Sequence, residues 1–75
     1  MTTLDKWCDP KLHWMKSQNL NDAKKECLDN PSCDMFYDQK GAGTDFGACG
    51  VTASIRASSI GSILYTKRGN KSFNI

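Results

Sequence analysis

The chain lacks most of what catalysis and metal binding require. It has a single histidine, His13, with no nucleophile placed to work with it. Its four cysteines are separated by 18, 5 and 15 residues, so none belongs to the close pair that structural zinc sites use or to a Cys-x-x-Cys redox motif. We therefore expect a protein that is not an enzyme and that has no metal site and no cofactor.

Long apolar runs and a strong excess of one charge are also missing. No stretch approaches the roughly 20 apolar residues that cross a bilayer, and no basic start followed by an apolar run marks a secretory signal. Ten basic residues against eight acidic ones give a net charge of +2, far from the basic stripe of nucleic-acid binders. We expect no membrane insertion and no nucleic-acid partner. We interpret the chain as a monomeric mature or excised domain.

What the chain does have is four cysteines within 75 residues, namely Cys8, Cys27, Cys33 and Cys49. The hydrophobic core of so short a chain is marginal on its own. An even number of cysteines in such a chain is typical of a domain held by disulfides in an oxidising compartment. We therefore expect a secreted or extracellular protein.

The clearest element is a helix over residues 20–29. Its apolar residues recur at the spacing of one helical face, namely Leu20, Ala23, Cys27 and Leu28. Asn19 or Asn21 is suited to cap its start. Asn30-Pro31 ends it, because the residue before a proline is disfavoured in the helical conformation.

Strand-like segments follow the helix. The expected order is a strand over 33–38, a glycine-rich connection over 39–46, a strand near 48–52, a long loop over 53–61 and a strand over 62–67. In the first strand Cys33, Met35 and Tyr37 alternate with Asp34 and Asp38, which predicts one buried and one polar face. Phe36 breaks this alternation, so the outer face is either partly covered or carries an exposed aromatic ring.

The two ends of the chain give weaker signals. In the N-terminal segment, residues 1–17, Asp9-Pro10 is suited to start a helical turn. Trp7 lies in the same segment; it is expected to cover an edge of the core or, alternatively, to be exposed for ligand stacking. Residues 68–75 are expected to form a flexible tail, and Asn70 begins a glycosylation triplet.

The four cysteines allow three pairings. The tight turn between Cys27 and Cys33 favours a bond between them, because it can bring their Cα atoms within the roughly 4.4–6.8 Å that a disulfide spans. Cys8 and Cys49 remain as the second pair.

The segment Asn21–Asp38 resembles the PAN/apple-like modules. These carry a helix with a cysteine, a short turn to a second cysteine and then a strand with aromatic residues. Ala48-Cys49-Gly50 fits the cysteine of the following strand, and Leu64–Lys67 fits a final strand, so the resemblance covers residues 18–67. It supports the pair Cys27–Cys33 independently.

The sequence departs from the family at Ala23, where these modules usually carry a further helix cysteine bonded to the later strand. Cys8 is then the only cysteine left for Cys49. The resemblance implies one α+β domain over residues 1–75, with a short α-helix packed on a curved antiparallel β-sheet. It implies an extracellular module that is not catalytic and that recognises a protein or carbohydrate ligand, for instance in adhesion.

Candidate ligand contacts lie in the glycine-rich connection, where Lys40, Asp45 and Phe46 offer a cation, an anion and an aromatic ring. Under the alternative interpretation Phe46 closes the core and the two charges only keep the connection soluble. Trp14 is a further candidate, because carbohydrate sites often use an exposed tryptophan. Other functions remain open, namely a stand-alone secreted toxin, effector or inhibitor, and a structural piece of a larger assembly.

Overall fold

The protein consists of one helix and an antiparallel sheet in a computed structural model that describes residues 2–68, 72 and 73. In chain order the elements are β1 (Thr2–Leu4), β2 (Lys6–Trp14), α1 (Leu20–Asp29), β3 (Met35–Asp38), β4 (Phe46–Ala57), β5 (Ile63–Arg68) and β6 (Ser72–Phe73). A single helix with antiparallel strands is the α+β arrangement expected from the sequence.

The five main strands have the order β1-β5-β3-β4-β2, with every neighbouring pair antiparallel, and β6 pairs with β5. In the sequence β1 and β2 are separated only by Asp5, although they lie at opposite ends of this order. Two residues cannot span more than about 7.6 Å, whereas the outer strands of a flat five-stranded sheet would be about 19 Å apart. The five strands therefore do not lie in one plane.

Helix α1 has the start, end and cap expected from the sequence. The Asn19 side chain accepts a hydrogen bond from the backbone N–H of Asp22 (2.9 Å) and donates one to its carboxylate (3.0 Å). Of the two candidate caps, Asn19 is therefore the one used. Ala23 and Cys27 are fully buried against the sheet, and the helix ends where Asn30 donates its N–H to the carbonyl of Cys27 (3.3 Å).

Hydrophobic clusters cover both faces of the central strand β3. On the helix side lie Met15, Ala23, Cys27, Cys33, Phe36, Phe46, Ala48 and Tyr65. On the opposite side lie Cys8, Met35, Tyr37, Cys49 and Leu64. Phe36 links the helix-side cluster by stacking on Tyr65, with ring centroids 5.0 Å apart, and by meeting Phe46 edge-on at 5.9 Å.

The expectation of one polar face on the strand over 33–38 is wrong. All four residues of β3 are buried, and Asp38 is only 4% exposed. Cys33 lies in the helix-side cluster, away from Met35 and Tyr37. The physical reason is that the helix-side cluster covers Phe36, while β2 and the end of β4 cover the other face. The Asp38 carboxylate accepts a hydrogen bond from the N–H of Gly43 (2.7 Å), in the connection after β3.

Two disulfides join these parts, and they are the two bonds expected from the sequence. The long-range bond, Cys8–Cys49, closes a separation of 41 residues, and the local bond, Cys27–Cys33, closes one of 6. In the sheet Cys8 is paired with Ile55, yet its Cα lies 6.3 Å from that of Cys49. Since six residues of straight strand would span about 20 Å, β4 bends between Cys49 and Ile55.

The predicted helical turn at Asp9-Pro10 is wrong, because both residues lie in β2. The peptide bond between them is cis. Asp9 pairs with Ser54 and Lys11 pairs with Cys49, so the register shifts at the proline. A proline lacks the N–H of a regular ladder and is tolerated at such an irregularity. Paired strands on both sides of the proline hold this segment extended.

The predicted loop over 53–61 is also wrong over its first half. β4 continues to Ala57, because its outer part pairs with the first residues of β2, and the connection to β5 is only 58–62. At the C-terminus, where a flexible tail was expected over 68–75, Ser72–Phe73 pair with the end of β5. Asn70, with the other residues of 69–71 and 74–75, lies outside the described residues.

Candidate functional site

The face of the sheet opposite the helix carries a ring that is built into the sheet. Tyr37 of β3 is 5% exposed and lies over Gly47, its pairing partner on β4. A Cβ at Gly47 would be 2.7 Å from two ring carbons of Tyr37, so only glycine leaves room for the ring in this position. Tyr37 forms the floor of what we call the aromatic cleft.

Two tryptophans of β2 form walls beside this floor. The Trp7 ring meets that of Tyr37 at 5.8 Å with an interplanar angle of 68°, and the Trp14 ring meets it at 6.2 Å and 60°. Trp14 is paired with Gly47 from the other side and is 50% exposed. Trp7 is half-buried and donates its indole N–H to the carbonyl of Ala57 (3.2 Å).

The aromatic cleft has a volume of about 400 Å³. Its lining residues come from β2, from the end of β3 and the residue after it, and from the end of β4 and the connection to β5: Trp7, Asp9, Lys11, Trp14, Tyr37, Gln39, Ala57, Ser58, Ser59, Ile60 and Ser62. A volume of this size is within the range of small-ligand pockets. The cleft is therefore an apolar box with a polar rim.

The connection over 58–62 is held in place by its own serines. The Ser58 hydroxyl accepts hydrogen bonds from the backbone N–H groups of Ile60 (3.2 Å) and Ser62 (3.1 Å). The Ser62 hydroxyl donates to the carbonyl of Gln39, and the N–H of Ser58 donates to the carbonyl of Asp5 (2.9 Å). This side of the cleft is therefore an ordered wall.

Charged groups of both signs lie at the cleft. The Lys11 ammonium stands over the Trp14 ring, 4.7 Å from its centroid. Asp9 carries a carboxylate whose only ion pair among the described residues is a contact of 4.0 Å with the exposed Arg56. Burial, and then the negative charge of Asp9, raise the pKa of the Tyr37 hydroxyl above its ordinary value. The floor is therefore neutral at physiological pH.

The structure divides the candidate ligand contacts named from the sequence. Trp14 lines the cleft, whereas Lys40 and Asp45 are exposed and are not among the lining residues. Phe46 is 1% exposed and packs on Phe36, so of the two interpretations offered for it the closure of the core fits the structure. A ligand has no access to its ring.

Most of the residues that line the cleft were not predicted from the sequence. One signal was present, because Trp7, Asp9 and Lys11 stand at alternate positions and therefore belong on one side of a strand. The mistaken helical turn at Asp9-Pro10 concealed this pattern. The serines of 58–62 had no signal, since only the fold brings them beside β2.

No group of three potential metal ligands lies close together in residues 2–68, 72 and 73. The single histidine, His13, lies 3.7 Å from Glu26, which also accepts hydrogen bonds from the Ser17 hydroxyl (2.6 Å) and from the N–H of Lys16 (3.2 Å). This cluster ties the segment before α1 to the helix. The described part of the chain contains no helix long and apolar enough to cross a membrane.

Comparisons with protein-family models, curated proteins and solved structures give no match. A functional proposal for this chain therefore depends on the aromatic cleft and on the two disulfides, which indicate an oxidising environment.

Proposed function

We propose that this chain is a non-catalytic recognition module of an extracellular protein and that its ligand enters the aromatic cleft. The observation that carries this proposal is the cleft itself, an open cavity of about 400 Å³ whose lining includes two tryptophans and a tyrosine together with polar side chains. A concave apolar site with a few polar groups is the usual form of a ligand site.

The residues around the cleft support binding rather than a reaction. An active site pairs a nucleophile or base with a group that orients it. Asp9 and Lys11 are the charged groups among the lining residues, and Lys11 is directed at an aromatic face. The tyrosine floor is 5% exposed and packs against Gly47 and both tryptophans, and burial raises its pKa further above neutrality, so it acts as a packing surface.

The disulfides support the extracellular part of the proposal. Together they fix β2 to β4 and the helix end to the segment before β3. The long-range bond lies on the same face as Tyr37. It therefore holds β2, which carries both tryptophans, against the face of β3, so this position does not depend on a large hydrophobic core. Secretion as a monomer belongs to the same proposal.

The PAN/apple-like resemblance is also part of the proposal. Its support is the single helix against an antiparallel sheet, the bond from Cys27 to Cys33, and the cysteine at position 49 in the following strand. A curved sheet, as that resemblance implies, is supported by the bend in β4 and by the link of β1 to β2 through Asp5. Modules of this kind recognise proteins or carbohydrates.

The test is a glycan array run beside a panel of purified extracellular proteins, with the wild-type chain and two variants. Trp14→Ala removes one wall of the cleft, and Val51→Ala is the control, since Val51 is 79% exposed and does not line the cleft. We expect a wild-type signal that Trp14→Ala loses and Val51→Ala keeps. Equal signals from all three chains would contradict the proposal, and so would silence on both formats from a chain whose cleft also binds no small ligand.

A further inference from the structure

The three rings of the aromatic cleft form a box rather than a flat stacking platform. Both indole planes stand 60–68° from the plane of Tyr37, and both ring centroids are about 6 Å from that of the tyrosine. A flat sugar ring needs one broad exposed face. A rounded group that contacts both indole rings above the buried tyrosine fits this arrangement better.

The box already holds a cation supplied by the protein. The Lys11 ammonium lies 4.7 Å from the centroid of Trp14, within the roughly 6 Å over which an aromatic face attracts a positive charge. Lys11 is on the same strand as Trp14, so its contact is local and easily released. This intramolecular contact marks where a ligand cation would lie.

The polar groups of the cleft also favour a cation over a neutral polyol. The indole N–H of Trp7 and the hydroxyl of Ser62 already donate to backbone carbonyls, so two of the donors that a sugar would use are engaged. The carboxylate of Asp9 lines the cleft and is close enough to the floor to raise the pKa of Tyr37. A carboxylate beside aromatic faces attracts a positive charge.

We propose that the aromatic cleft binds a quaternary ammonium group, such as the trimethylammonium of choline or of trimethyllysine, in the place that Lys11 occupies in the free protein. Methylated ammonium groups suit such a box, because they spread their charge over an apolar surface and need no hydrogen-bond acceptor. The inference rests on the proposed recognition function and names the chemistry of its ligand.

The test is isothermal titration with choline chloride and with 3,3-dimethylbutan-1-ol, which has the shape of choline without the charge. We expect choline to bind at least about tenfold more tightly than the alcohol, because only the cation gains from the aromatic faces. Equal affinities, or binding of neither compound, would overturn the proposal.

Three variants should change the affinity for choline in directions that differ from those expected of a general apolar site. Lys11→Met removes the competing ammonium and keeps an unbranched apolar stem, so we expect choline to bind more tightly. Trp14→Leu keeps an apolar wall without an aromatic face and should weaken choline about tenfold. Asp9→Asn should weaken it about twofold to fivefold, as expected for an exposed charge. Weaker binding in Lys11→Met would contradict displacement of the lysine.

Two further probes distinguish which kind of molecule carries the quaternary ammonium group. A peptide with trimethyllysine is titrated beside the same peptide with unmodified lysine, and phosphatidylcholine vesicles are compared with phosphatidylglycerol vesicles by co-sedimentation. Binding of the methylated peptide alone identifies a protein ligand, and binding of phosphatidylcholine alone identifies a lipid headgroup. Binding of neither, with free choline bound, identifies a small soluble ligand.

The inference and the recognition function can fail separately. If choline fails to bind but the arrays give a signal that Trp14→Ala loses, the cleft recognises a ligand of another chemistry and only the inference is overturned. If choline fails and the arrays are silent, both are overturned. Far-ultraviolet circular dichroism of each variant shows whether it is folded. If Trp14→Ala does not fold, Trp14→Leu is used in its place on the arrays.

Discussion

The substitution Gly47→Ala tests whether the floor of the cleft is built as described. Gly47 lies between Tyr37 and Trp14 in the sheet register, and Tyr37 covers the position that its side chain would take. The new Cβ would be 2.7 Å from Cε1 and Cζ of Tyr37 and 2.9 Å from its oxygen. The contacting atoms belong to a rigid ring that is 5% exposed, so the ring or the strand must move.

The expected cost of this crowding is about 1–3 kcal/mol in the free energy of unfolding, as for other overpacked sites. Gly50→Ala on the same strand is the matched control. Its added Cβ would meet the Ser32 carbonyl oxygen at 3.4 Å and the Leu12 side chain at 3.7 Å, which are ordinary contacts. We expect Gly50→Ala to change the free energy of unfolding by no more than about 0.5 kcal/mol.

The assay is guanidinium unfolding without reductant, followed by tryptophan fluorescence, with near-ultraviolet circular dichroism to report ring packing. A double-mutant cycle with Tyr37→Leu assigns the cost to the ring, because the two substitutions should be coupled by at least about 0.5 kcal/mol. Equal stabilities of Gly47→Ala and Gly50→Ala, together with an unchanged near-ultraviolet spectrum, would refute this account of the floor.

Three further predictions concern the scaffold. Replacing both cysteines of the long-range bond by serine should lower the free energy of unfolding by about 4 kcal/mol, and replacing those of the local bond should lower it by about 2 kcal/mol, because the stabilisation from a disulfide grows with the length of the loop it closes. Denaturant unfolding of the two variants measures both values, and a larger loss for the local bond would contradict the prediction. Burial raises the pKa of Tyr37 and Tyr65, so the folded chain keeps their protons longer and stability should fall as the pH rises above about 10; unfolding at pH 8 and pH 11 tests this, and a rise in stability would exclude it. Phe46→Ala should lower the free energy of unfolding by about 3–5 kcal/mol, whereas Lys40→Ala should change it by no more than about 0.5 kcal/mol. Similar melting temperatures for the two variants would show that Phe46 does not close the core.

The helix and its disulfide were within reach of sequence analysis because their determinants are local. The cap at Asn19, the apolar stripe and the stop at Asn30-Pro31 lie within about a dozen residues, and the turn after the helix places Cys27 beside Cys33. Interactions between near neighbours in the chain decide such elements, so the sequence pattern contains them.

Strand β2 and the extension of β4 over residues 53–57 were missed because their pairing partners are distant in the chain. Residues 6–9 are strand because they pair with 54–57. Nothing in Asp9-Pro10 or in the small polar residues of β4 indicates that pairing. Propensity favours a turn or a loop for both segments, and tertiary pairing overrides it.

The cleft, too, could be predicted only where its residues depend on local sequence. Tyr37 was expected on a strand and Trp14 was named as a candidate, but the box needs Gly47 beneath the tyrosine and the connection over 58–62 beside Trp7. Its parts come from four segments, β2, β3, β4 and the connection over 58–62, which the long-range bond and the sheet bring together. No periodicity within one segment predicts such an assembly.

The most direct test of the aromatic cleft as the binding site is a ¹H–¹⁵N correlation spectrum of the labelled chain during titration with choline chloride. The account predicts that the indole N–H signals of Trp7 and Trp14 and the backbone amides of 57–62 shift most, while the amides of α1, on the other face of the sheet, stay in place. Shifts concentrated on α1, or no shifts at concentrations that saturate the calorimetric titration, would contradict it.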